Sequence, residues 1–190
     1  MRVKDENKQE AIFRATIKLV NEIGLVASSV AKIAREARVS PATIYIYYQN
    51  KEDLLVSTYL RIKREMGQAM LQNMNTDQPL RDIFRQAWFA MFDFFKSHKD
   101  YFRFVDQFSN SPFISKLETK EVEDAFGPLM DLVQKGVEQK IIKNVNLNLL
   151  AVFLFYPIFT LSNARLCPDW KLDEANIDQA FSMAWDAIKL

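Results

Sequence analysis

A chain of 190 residues, 49% hydrophobic and 13% aromatic, can bury one sizeable core or one core with a satellite, and its four glycines and six prolines are too few for a loop-rich β protein. A single cysteine, Cys167, excludes an internal disulfide and fits a reducing cytosol, and the charged start MRVKDENKQE lacks the apolar stretch of a secretory signal. Net charge is only +1, yet residues 1–66 hold 12 Lys and Arg against 8 Asp and Glu while residues 67–190 hold 13 against 16, an asymmetry suited to a nucleic-acid reader with a separate second function.

Apolar residues recurring at i, i+3, i+4 and i+7 predict an all-α protein. The first helix is expected over residues 4–23, with Ile12, Ala15, Leu19, Val20 and Ile23 on its buried face and Gly24 ending it. Ser28 suits the N-cap of a second helix that turns Val30, Ile33, Ala34 and Ala37 inward. The tight turn RVSP leads into SPATIYIYYQNKEDLL, where the strand-like run IYIYY lies between helical signals. Ser40 is a good N-cap, Pro41 suits the first helical position, and KEDLL starts another helix. Two short helices joined by such a turn and braced by a longer one form a helix-turn-helix. In that unit Ile44 and Tyr48 face the core, Thr43, Ile46 and Tyr47 point outward, and Tyr45 sits at the edge.

A fourth helix is expected over residues 51–74, after which NMNTDQP breaks the chain. Leu80, Ile83, Phe84, Ala87, Trp88, Met91, Phe92 and Phe95 then make a helical stripe, and a helix over residues 117–140 turns Val122, Phe126, Leu129, Met130, Val133 and Val137 inward. The helix expected over residues 146–165 contains LLAVFLFYPIFTL, apolar nearly all round, with Pro157 removing one backbone hydrogen bond. This run is shorter than the roughly 20 residues that span a bilayer, so no membrane partner is expected. Burial on all sides is reached most easily by also packing on a partner. Ile177, Ala180, Phe181, Ala184, Trp185 and Ile188 repeat as a bundle seam. Leu154, Ile158, Leu161, Ile177, Phe181, Ala184, Trp185 and Ile188 are the residues expected at such a seam, which the family resemblance given below makes a dimer interface.

Enzymatic chemistry finds little support: one histidine, His98, lies between helices, and the sequence holds no HExxH, no Cys/His cluster of metal spacing and no phosphate-binding glycine loop. No metal or other cofactor is expected. Aromatic and polar residues from several helices, Trp88, Phe92, Tyr101, Phe108, Met130, Phe155, Phe159 and Asn163, are candidates to line an effector cavity.

The frame GLVASSVAKIAREARVSPATIYIYYQNKEDLL resembles the DNA-binding domain of the TetR family of transcriptional regulators, in the order of a Gly, a hydroxyl pair, I-A-x-x-A, V-S, T-[LI]-Y, an aromatic pair, N-K-E and Leu. SHKDYFRFVDQF resembles the family's short sixth helix, and GVEQKIIKNVNLNLLA its junction into the eighth. Arg38 stands where the family usually has a Gly in the turn, so that a left-handed backbone there would cost roughly 1 kcal/mol; Lys140 stands where a second Gly is frequent. Pro41 and Ala42 replace a more polar or glycine-containing pair.

The resemblance implies about nine helices, with residues 1–50 a DNA-binding domain and 51–190 an effector-binding and dimerisation domain. It implies a cytoplasmic homodimeric repressor, released from a palindromic double-stranded DNA operator by a small apolar or amphipathic effector. By position, Pro41, Ala42, Thr43 and Ile46 face base edges, Tyr45 and Tyr47 lie along the groove wall, Ser28 and Ser29 open the second helix toward a phosphate, and Lys51 supplies a charge to the other flank. Two alternatives stand beside it: a DNA-binding regulator with a filled core that answers to a protein partner, and a helical enzyme or lipid carrier that retains the N-terminal fold.

Overall fold

The computed structural model describes residues 5–72, 74–117, 119–163 and 165–190, those of 119–125 as backbone only, so the inward placement expected for Val122 lies outside the described residues. Among them nine α-helices follow one another: α1 (Glu6–Ala27), α2 (Val30–Glu36), α3 (Pro41–Tyr47), α4 (Lys51–Leu71), α5 (Leu80–Ser97), α6 (Lys99–Ser109), α7 (Thr119–Glu138), α8 (Leu147–Ser162) and α9 (Glu174–Ile188), with a 3-10 turn at Pro112–Lys116. Their starts follow the side chains. Asp5, Ser29, Ser40, Asn146 and Asp173 each accept a backbone N–H that the helix leaves unpaired.

Two helix ends share one device. After α2 the N–H of Val39 donates to the Ala34 carbonyl and that of Arg38 to Arg35, and Arg38 takes φ 56°. After α7 the N–H of Ile141 donates to Gly136 and that of Lys140 to Val137, with Lys140 at φ 59°. Both are Schellman closures, whose left-handed residue is usually glycine, and both occupants carry a Cβ. Gly24 is the third left-handed residue, at φ 81°, and interrupts the regular turns of α1 near the point where its end is expected.

The chain divides into two compact units, each discontinuous in sequence: Met1–Arg64 with His98–Val122, and Glu65–Ser97 with Glu123–Leu190. These do not follow a division at residue 50, because α6 packs on α1 and α4 runs without a break from one unit into the other.

In the first unit Ile12, Ala15, Ile33, Ala34, Ile44, Tyr48 and Leu54 form the core, with Leu19, Val30, Ala37 and Val39 packed against it. Ile23, expected inside, is exposed, whereas Phe13, Thr16 and Ile17 are buried, because α1 packs on α2 and also on α6. The Asn21 amide donates to the Asp100 carbonyl and the Gln107 amide to Asn21, stitching α1 to α6. Arg61 lies 3.8 Å from the centre of the Phe13 ring and pairs with Glu10. Burial works against the Glu10 carboxylate, but hydrogen bonds from Arg14 and Arg61 outweigh it and hold the carboxyl below its ordinary range.

In the second unit α5, α8 and α9 pack on one another. The expected seam is buried here inside a single chain: Leu154, Ile158, Ile177, Phe181, Ala184, Trp185 and Ile188 are all enclosed, and Leu161 partly so. This corrects their assignment to a dimer interface. The periodicity marks the side of each helix that faces its own neighbours, and the surface left uncovered is a different one. Val152, Phe153 (50% exposed) and Tyr156 (62%) of α8, with Met183 (75%) of α9, are open to solvent.

Candidate nucleic-acid interface and the helical body

α3 is seven residues long and is held from both ends. The Ser40 hydroxyl accepts the Thr43 N–H at 3.1 Å and lies 2.9 Å from the Thr43 hydroxyl. At the other end Tyr48 turns extended, and a single core residue, Ile44, anchors the helix. Pro41, Ala42, Tyr45 (56%) and Ile46 (40%) are exposed, with Thr43 and Tyr47 half-buried. Tyr45 is thus the outward tyrosine and Tyr47 the edge one, the reverse of the helical-wheel expectation.

Tyr47 has a different task from the groove-wall contact expected of it. Its hydroxyl donates to the Asp5 carbonyl at 3.1 Å and accepts the Asp5 N–H at 2.8 Å. With both functions engaged, the phenol ties the entry of α1 to the end of α3. Ser28 is also corrected: it is fully buried, and its N–H and hydroxyl both donate to the Gly24 carbonyl, capping the end of α1. Ser29 is the exposed hydroxyl that opens α2, accepting the Lys32 N–H.

Lys51 begins α4, where the Gln49 N–H donates to Asp53 and the Asp53 N–H to Asn50. Its ammonium donates to the Val26 carbonyl at 2.9 Å, and partial burial pushes its pKa down. An ammonium has three donors, so one bond to Val26 leaves two for a phosphate on that flank.

The candidate cavity residues divide between the two units, and those with ring contacts pack against neighbours of their own unit. Phe108 is fully buried and stacks with Tyr59 at 4.5 Å, and Tyr101 meets Phe13 edge-on at 5.7 Å. Trp88 is fully buried; its indole N–H donates to the Leu154 carbonyl at 2.6 Å, and its ring meets Phe92 and Phe181 at 5.8 and 5.6 Å. Phe155 faces Phe84 and Phe159 faces Phe95, while Met130 is half-buried and the Asn163 side chain accepts the Arg165 N–H. These rings fill one another's edges, and the indole N–H is already satisfied.

Two clefts open elsewhere in the second unit. One, of about 380 Å³, is walled by Leu80, Arg81, Ile83, Leu132, Lys135 and Trp185, with Thr76, Gln78, Pro79, Gln139 and Ile141 completing it; the other, of about 270 Å³, by Met70, Met74, Ile83, Phe89 and Asp93 among others. Among the described residues no group of His, Cys, Asp and Glu could hold a metal ion, and no helix is long and apolar enough to cross a membrane.

Comparison with known proteins matches both parts of the chain. Residues 12–58 fit the family model described as bacterial regulatory proteins, tetR family, and residues 79–189 the one described as tetracyclin repressor-like, C-terminal domain. The crystal structure of a TetR family transcription regulator from Marinobacter aquaeolei VT8 is 33% identical, covers 100% of this chain and 99% of its own, and superposes with a TM-score of 0.86. An uncharacterized HTH-type transcriptional regulator of Haemophilus influenzae is 29% identical over 112 residues, 59% of this chain and 60% of that protein. The fatty acid metabolism regulator protein of Bacillus subtilis is 40% identical over 70 residues, 37% of this chain and 34% of that protein. The chain therefore spans less than two thirds of these two curated relatives.

Proposed function

The chain belongs to the TetR family of transcriptional regulators, and on that premise we propose that it is a dimeric, cytoplasmic repressor that reads a pseudo-palindromic operator with α3 and leaves it when a small effector binds. The observation that carries the reading is the surface of α3, where Pro41, Ala42 and Ile46 are exposed on a short helix fixed at both ends. Specific reading commonly uses Arg or Lys on guanine and Asn or Gln on adenine, whereas these side chains and the Thr43 methyl suit the C5-methyl of thymine. Tyr45, Ser29 and Lys51 hold the backbone, and Tyr47 fixes the geometry of the helix that carries the readers. Residues 1–50 act as the DNA-binding part and 51–190 as the part that pairs and responds. In such a chain the body carries no catalytic step.

Dimerisation uses the open apolar face of α8 and α9, with Val152, Phe153, Tyr156 and Met183 meeting their equivalents across a two-fold axis. A second reading, a regulator governed by a protein partner, takes its support from the ring-on-ring packing at Trp88, Phe92 and Phe108. Fragments of the source genome retained by the purified protein supply the operator. Replacing thymine by uracil at the centre of each half-site is expected to weaken binding by about 1 kcal/mol per critical methyl. Uracil operators bound as tightly as thymine ones would remove α3 as a methyl reader.

A further inference from the structure

The larger of the two clefts joins an apolar floor to cationic walls. Its floor is apolar, with Leu80, Ile83, Leu132 and Trp185, and its two charged wall residues, Arg81 and Lys135, are both cationic; no carboxylate lines it. The smaller cleft on the other side of Ile83 carries Asp93 as its only charge.

Both cations of the larger cleft lack a carboxylate partner where one was within reach. Lys135 stands four residues after Asp131 and three before Glu138, spacings at which helical ion pairs form, and among the described residues it pairs with neither. Arg85, one turn along α5 from Arg81, pairs with Asp178 and Glu174, whereas Arg81 makes no ion pair among the described residues. Its guanidinium is instead steadied by α9, donating to the Ser182 hydroxyl at 3.3 Å and lying 5.3 Å from the Phe181 ring. A guanidinium so placed keeps the fork geometry that receives a carboxylate. The cleft itself is not a packing accident of large side chains: Gly136 lets α7 come so close that a Cβ there would lie 2.5 Å from Leu80 and 2.7 Å from Ile142, which fixes the distance between two walls.

We infer that this cleft binds a small amphipathic carboxylate, its apolar body against Trp185, Leu132 and Ile83 and its carboxylate on Arg81 and Lys135. The volume, at the lower end of the roughly 300–1,000 Å³ of ligand pockets, suits a medium-length acyl or arylalkyl chain. This names the class of effector that the proposed function requires, but binding is measured without DNA and stands or falls separately.

The test titrates the purified full chain with octanoate, octanol and octylamine, reading tryptophan fluorescence and calorimetry. Octanoate is expected to bind saturably, octanol at least about tenfold more weakly, and octylamine not at all. Arg81→Gln and Lys135→Gln should each weaken octanoate by about tenfold and leave octanol unchanged. Ile141→Trp, which fills the cleft from its exposed rim, should abolish binding of both while circular dichroism stays native. Absence of saturable octanoate binding, equal affinity for octanol, or full affinity in Ile141→Trp would overturn the site. If octanoate binds with this pattern and operator affinity does not change, the cleft site holds and the effector reading of the preceding section fails.

Discussion

Arg38 and Lys140 occupy the same place in two Schellman closures, and in both the left-handed backbone is strained for a residue with a Cβ. Lys140→Gly should stabilise the chain by about 0.5–1 kcal/mol, the relief of strain exceeding the entropy that glycine adds to the unfolded state, and thermal unfolding reads it directly. Arg38→Gly should do the same. Lys63 offers a pH test. Its amine lies 5.8 Å from the centre of the Tyr59 ring, and burial pushes its pKa down to about 8. An unfolded lysine titrates near 10.4, so between about 8 and that value the unfolded chain holds more protons and stability rises with pH. Lys63→Met should erase the rise and be the more stable protein at pH 7. Lys51→Ala should weaken specific and random DNA alike and lower the salt slope by about 1, whereas a changed sequence preference with an unchanged slope would remove Lys51 from the phosphate flank. At this scale the sequence was legible where the signal is local. The cap at Ser40 could be read from its neighbours, and the glycine-like positions at Arg38 and Lys140 from the family resemblance. Tyr47 could not, because its partner Asp5 is 42 positions away, nor could the choice between Ser28 and Ser29, which turns on where α1 ends.

The helices themselves were legible because their periodicity and breakers are strong, but which face meets which partner was not. α8 shows the reason. An all-round apolar helix has no preferred side by periodicity, so Leu154 and Ile158 turn inward against α5 and α9 while Val152, Phe153 and Tyr156 stay open. α9 repeats cleanly, and its repeat records the intrachain seam. Two substitutions separate the faces. Phe153→Glu should leave helicity intact and convert the dimer to a folded monomer, as sedimentation would show. Ala184→Glu places a charge inside the packed seam and should cost several kcal/mol, unfolding the chain. A Phe153→Glu protein that remains dimeric at micromolar concentration would move the interface elsewhere. α6 posed the same problem for α1, whose second buried face of Phe13, Thr16 and Ile17 exists only because α6 returns to it.

For the molecule as a whole, the proposed function rests on a short exposed helix, and the aromatics expected to line a cavity pack ring on ring at Trp88, Phe92 and Phe108. Composition announced the rings but not their mutual filling, which depends on distances between helices far apart in sequence. The two compact units cut across the division read from the sequence, since α4 belongs to both. Both readings of the proposed function share a symmetric pair of α3 helices on DNA. Footprinting of genome-selected fragments with the purified chain tests it most directly. The expected footprint has two half-sites related by a pseudo-dyad and centred about one helical turn, 34–36 Å, or a multiple of it apart. Protection of a single asymmetric site, or no preference over random DNA, would contradict it.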